Sequence, residues 1–119
     1  MITINDDDRF NKHYLANAFS LSMLKLPSVI YVREIPKETI INMQDYITSI
    51  VGHEATANLL TKILGFEVKC NRVAVTLKKD DVVYVFQLLE RLPEGQILTE
   101  DQLKNMKYKF LLVHVRDGD

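Results

Sequence analysis

With 119 residues, 47% of them hydrophobic and 26% charged, the chain has the size and balance of one globular domain with a core of its own. A formal net charge of -1 argues against the broad basic face that long DNA or RNA requires, but it permits a small anion in a local basic pocket. One cysteine, Cys70, rules out an intrachain disulfide framework and a cysteine zinc cage. No apolar leader and no membrane-length apolar window is present, so the reading is a cytoplasmic protein that does not engage a membrane.

Residues 1–13 are polar, acidic and without periodicity, and are read as a loose extension ahead of a single domain over residues 14–119. Tyr14-Leu15-Ala16 is the first expected strand. Asn17-Ala18-Phe19-Ser20 turns into a brief helical segment, Leu21-Ser22-Met23-Leu24, in which Asn17 and Ser20 are natural cap or turn residues. After Pro27, Val29-Ile30-Tyr31-Val32 reads as a strand, and Pro36 suits the first turn of a helix over Lys37-Glu38-Thr39-Ile40-Ile41.

The centre of the chain is the stretch from Ile50 to Leu60. Beta-branched residues reach Gly52, His53 follows, and a helix begins whose core stripe is Leu59, Leu60, Ile63 and Leu64, closed by Gly65 as a C-cap. Gly52 permits a sharp turn or a close backbone approach. His53 then stands at a helix N-terminus, beside free N–H groups that favour an anion.

Beyond that helix, Phe66-Glu67-Val68 and Arg72-Val73-Ala74-Val75-Thr76-Leu77 are expected strands, with Lys78-Lys79-Asp80-Asp81 as a hairpin connection into Val82-Val83-Tyr84-Val85-Phe86-Gln87-Leu88-Leu89. This last run is apolar at nearly every position, as in a central strand covered on both faces. Glu90 to Gly95 breaks it, Thr99-Glu100-Asp101-Gln102 has the spacing of a capping box, and Phe110 to Val115 is a final strand. Strands interleaved with helices, together with a hairpin, predict an α/β domain: a mixed sheet of about five strands covered by helices.

Several chemistries are missing from the sequence. His53-Glu54-Ala55-Thr56-Ala57 lacks the second histidine of a zinc-protease helix, and there is no phosphate-binding glycine loop of the nucleotide-hydrolase or dinucleotide type. Ser20 and Ser22 lie in no nucleophile elbow, and Asp80, Asp81 and the acidic residues 6–8 are expected in solvated loops rather than at a metal. Arg91 and Glu94 are more informative, because they leave the C-terminal end of the most buried strand, where open sheets place ligands. A guanidinium there can clamp a phosphate, and the carboxylate can orient a histidine or a hydroxyl.

Four motifs then carry a resemblance. Tyr14-Leu15-Ala16-Asn17-Ala18-Phe19-Ser20 with Met23-Leu24, Gly52-His53-Glu54-Ala55-Thr56, Asn71-Arg72-Val73, and Arg91-Leu92-Pro93-Glu94-Gly95 occur in the order found in one small family. Over residues 14–115 the chain resembles the viral anti-CRISPR ring nucleases of type III systems. The resemblance implies a two-fold homodimer that binds cyclic tetra-adenylate and linearises it without a metal or other cofactor. It also implies a role for each matching residue: His53 as general acid, Arg91 and Glu94 as the catalytic-loop pair, Ser20 as a residue that places the scissile ribose, and Asn17 as a ligand contact.

That chemistry is physically coherent, because a ribose 2′-hydroxyl can attack its own 3′-phosphate and the protein need only position it, protonate the leaving 5′-oxygen and stabilise the phosphorane. Two rival readings accompany it: a sponge that sequesters the messenger uncut, and a nucleic-acid-binding regulator, which the near-neutral charge disfavours.

Overall fold

The computed structural model describes residues 12–89 and 105–118. Its frame is a mixed five-stranded sheet built from β1 (His13–Ala16), β2 (Ser28–Ile35), β3 (Ile47–Ser49), β4 (Val82–Leu88) and β5 (Tyr108–Gly118), in the order β2-β5-β4-β1-β3. β1 runs parallel to both β3 and β4, whereas β5 is antiparallel to both β4 and β2. The expected α/β architecture, with a mixed sheet of five strands, is therefore what the chain adopts. β4 sits at the junction of the parallel and antiparallel halves, and its first five residues are all buried, as its unbroken apolar run requires.

Strand alternation divides the core in two. Leu15, Val82, Tyr84, Phe86 and Phe110 point to one face, where α1 (Lys37–Asn42) and α2 (Glu54–Leu64) supply Ile40, Ala57, Leu59, Leu60, Ile63 and Leu64. Ala16, Val83, Val85, Val113 and Val115 point to the other face, which is covered by Leu77 and, less completely, by Phe19, Met23, Leu24 and Val75. The α2 stripe is the one expected from its spacing, and Leu60 within it is fully buried. Gly65 closes α2 in the left-handed region at φ +82°. Among the described residues no helix is long and apolar enough to cross a membrane.

Several local expectations are corrected. Residues 72–77 form no named strand, and only Leu77 makes a bridge, parallel to Leu24, with its N–H donating to the Met23 carbonyl at 2.7 Å. Both edges of β4 are already taken, by β1 and β5, so no edge remains for a hairpin partner, and Lys78 to Asp81 connects no hairpin. Residues 66–68 form no strand either. The Val68 N–H donates to the Thr61 hydroxyl of α2 at 2.9 Å, and that hydroxyl shares its one proton between the Ala57 carbonyl at 2.9 Å and the Val68 carbonyl at 3.3 Å, so the segment is fastened to the helix rather than to a sheet. Asp81 is not in a solvated loop either but only 5% exposed. Its two oxygens accept the Lys12 N–H at 3.0 Å and the Lys78 N–H at 2.9 Å, tying the start of β1 to the turn before β4. β1 itself begins at His13, within the stretch read as extension.

Candidate functional site

Because β1, β3 and β4 run in the same direction, their C-terminal ends open on one edge of the sheet. Asn17 leaves the end of β1 there, and Ile50-Val51-Gly52 leaves the end of β3. The two exits are joined. Ile50 N–H donates to the Leu15 carbonyl at 2.8 Å, and Gly52 N–H donates to Asn17 Oδ1 at 3.1 Å. Asn17 therefore acts across the sheet, not as the local turn residue that its neighbours in sequence suggest.

On its other side the same connection is held by the segment after α2. Asn71 N–H donates to the Val51 carbonyl at 2.7 Å, and its side-chain amide donates to the Ser49 carbonyl at 2.8 Å. Ser49 in turn donates its hydroxyl to the Lys69 carbonyl at 2.6 Å and accepts the Val51 N–H at 3.3 Å. Residues 49–52 are thus pinned from two directions, and the backbone delivered from this clamp begins α2.

His53 is the N-cap residue of α2, extended at φ -126° and ψ 128°, with its carbonyl accepting the Ala57 N–H at 2.9 Å. Its imidazole makes no capping hydrogen bond and is exposed. The ring is therefore presented to solvent beside the helix's first N–H groups, as expected from the sequence. Ser20 is the N-cap of the 3-10 segment Leu21–Met23. Its hydroxyl accepts the Ser22 N–H at 3.2 Å and lies 2.9 Å from the Ser22 hydroxyl. The capping role is thus realised, and the side chain remains exposed. Arg91 and Glu94 lie outside the described residues. Of the five residues singled out in the sequence, Asn17 is bonded to Gly52, the residue before His53, and Ser20 follows Asn17 by three positions.

Two residues without an assigned role in the sequence reading also belong here. Arg72 lies over Gly52: a Cβ added to that glycine would stand 3.3 Å from Arg72 Cγ, so the missing side chain admits the arginine stem. The same segment meets the first turn of α2. The Cys70 thiol is raised above its ordinary value by local desolvation and then by the nearby Glu54 carboxylate, while Arg72 opposes the rise. The guanidinium thus sits within electrostatic range of the Cys70 thiol. Gln87 is the other residue: it is exposed in an otherwise buried strand, two positions beyond Val85, the last β4 residue paired with β1. The sequence carried a signal for Arg72 in the Asn71-Arg72-Val73 motif, whereas Gln87 is recognisable only once the shorter β1 is laid beside β4. Among the described residues no group of three or more histidine, cysteine or carboxylate side chains is placed to hold a metal.

Comparison with known proteins follows the same span of chain. Residues 13–110 match the STIV B116-like family. ORF116 of Acidianus filamentous virus 1 (isolate United States/Yellowstone) is 32% identical over 96 residues, covering 78% of this chain and 83% of that protein. YddF of Bacillus subtilis (strain 168) is 37% identical over 65 residues, or 55% of this chain and 60% of that one. Among solved structures, B116 of Sulfolobus turreted icosahedral virus superimposes with a TM-score of 0.78 at 29% identity, over 87% of this chain and 98% of its own.

Proposed function

The chain belongs to the STIV B116-like family, and on that premise we propose that it is a ring nuclease. In this reading it is a metal-independent phosphodiesterase that binds cyclic tetra-adenylate between two copies of the chain. It opens the ring to linear di-adenylate with 2′,3′-cyclic phosphate ends, switching off type III CRISPR signalling in the host cytoplasm. The observation that carries this reading is the junction of Asn17 with Gly52, which sets an exposed histidine at the start of α2 on the edge where three parallel strands end.

In this mechanism the ring's own 2′-hydroxyl gives up its proton to water and attacks the adjacent phosphorus, while the bond to the 5′-oxygen breaks. His53 donates the proton that the departing oxygen needs, and the α2 N–H groups and Arg72 stabilise charge on the phosphorane. Arg91 and Glu94, three and six residues beyond Leu88 in the sequence, clamp the phosphate and hold the hydroxyl in line. Ser20 and Asn17 face the ribose. Apolar side chains beside the site fit an interface between copies: Leu21, next to Ser20, and Val73, next to Arg72, are 67% and 50% exposed. Two copies give two cutting sets on opposite sides of a symmetric ring, with a linear tetranucleotide as intermediate.

The test is His53→Ala in single turnover. Cleavage should fall by about 10²- to 10⁴-fold, the usual range for a lost general acid, with ring affinity changed far less. A variant that cuts near the wild-type rate removes His53 from the mechanism.

A further inference from the structure

At the opposite end of β1 from Asn17, a second cluster of titratable side chains gathers on the helix-covered face. His13, Val82 and His114 occupy one register row across β1, β4 and β5. His13 Nδ1 lies 2.9 Å from the Tyr84 hydroxyl, and the two rings stack with centroids 5.8 Å apart and an interplanar angle of 16°. Tyr84 itself is only 3% exposed. His114 Nε2 lies 3.5 Å from Asp80 Oδ1. The charged and titratable groups acting on His13 are thus Asp81 from the turn before β4, Tyr84 from β4 and His114 from β5, while β3 places the uncharged Ile47 in its row. Tyr31 of β2 stands in register with His114.

We propose that the His13–Tyr84 contact is an acid-sensitive latch on β1, and that the Asn17–Gly52 junction at the far end of this strand is held only while His13 is neutral. β1 has four residues, so its two ends are mechanically one unit, and the latch and the junction hold it from opposite ends. A neutral imidazole accepts the phenol proton at Nδ1. An imidazolium has a donor on each nitrogen, so the phenol must turn its own proton away inside a buried site. Burial pushes the His13 imidazole below its ordinary value and His114 adds to this, with Asp81 opposing, while burial pushes the Tyr84 phenol up and keeps it a donor. Because the folded value is depressed, the contribution of the latch is fully present above the ordinary histidine value and is lost as pH falls through the folded one. This inference is independent of what the site binds.

Amide hydrogen exchange on the full chain tests it, corrected for intrinsic rates. The reporters are the Ile50 and Gly52 N–H groups, whose acceptors are Leu15 and Asn17. Between pH 7.5 and pH 5.0 their protection should fall severalfold relative to amides in the middle of α2. His13→Gln, which cannot charge, should abolish this selective fall. Tyr84→Phe, which removes the phenol partner, should shrink it, and serves as the second variant if the first does not fold. A wild-type fall equal at all amides, no fall, or a His13→Gln variant that keeps the full response each overturns the latch.

Discussion

The Asn17 side chain offers a quantitative test of how the site is held. Replacing Asn17 by Ala removes the acceptor of the Gly52 N–H, a hydrogen bond of ordinary length at 3.1 Å. A buried donor stranded in this way costs about 1–3 kcal/mol. Gly52 is only half-buried, so water reaches part of the group and the loss belongs at the lower end, about 1 kcal/mol. In a domain of this size that corresponds to roughly 4 °C in Tm. Asn17→Asp keeps an oxygen at the same place and should stay within about 0.5 kcal/mol of the wild type. Urea denaturation with a common m value measures both, and the Gly52 amide resonance reports whether the bond persists. The two variants should separate differently in function. Under the proposed function, the aspartate retains the clamp but adds a negative charge beside a polyanionic ring, so it should weaken ring binding in a salt-dependent way. An Asn17→Asp variant as unstable as Asn17→Ala would show that the hydrogen bond is not what joins β1 to the β3–α2 connection.

Two further outcomes follow from local geometry. Gly65→Ala places a side chain at φ +82°, where no atom lies within 4 Å of the new Cβ; the cost is conformational alone, about 1–2 kcal/mol by thermal denaturation, and ligand binding is unchanged. Asp81→Asn exchanges one of two acceptor oxygens for a donor facing the Lys12 or Lys78 N–H, and should lose about 1–3 kcal/mol, read in the same way.

What the sequence made legible was set by elements whose signal is self-contained. The first five residues of β4 are apolar enough to demand cover on both faces, and α2 carries its stripe, its histidine start and its glycine end within thirteen positions. The segment over residues 72–77 misled because β-branched residues score as a strand wherever they stand, and the hairpin partner it was read as for β4 needs a free edge of β4, which β1 and β5 deny it. The same competition explains Asp81. Its charge reads as solvated until its two backbone partners, one of them 69 residues away in the chain, are known. β3 escapes the eye because three residues are too few to show a period. Of the site, His53 was readable from its position at a helix start. The Asn71-Arg72-Val73 motif flagged both residues, but not what they do: Asn71 clamps Ser49 and Val51 and Arg72 covers Gly52 only through a long-range approach.

The most direct measurement incubates the purified protein with labelled cyclic tetra-adenylate in excess EDTA and separates the products over time. A ring nuclease of the proposed kind converts the ring first to a linear tetranucleotide and then to dinucleotides bearing 2′,3′-cyclic phosphate, and leaves uncut a ring with 2′-deoxyribose at the scissile positions. A ring that is bound and recovered intact, or cleavage that stops in EDTA and returns with a divalent ion, would contradict it.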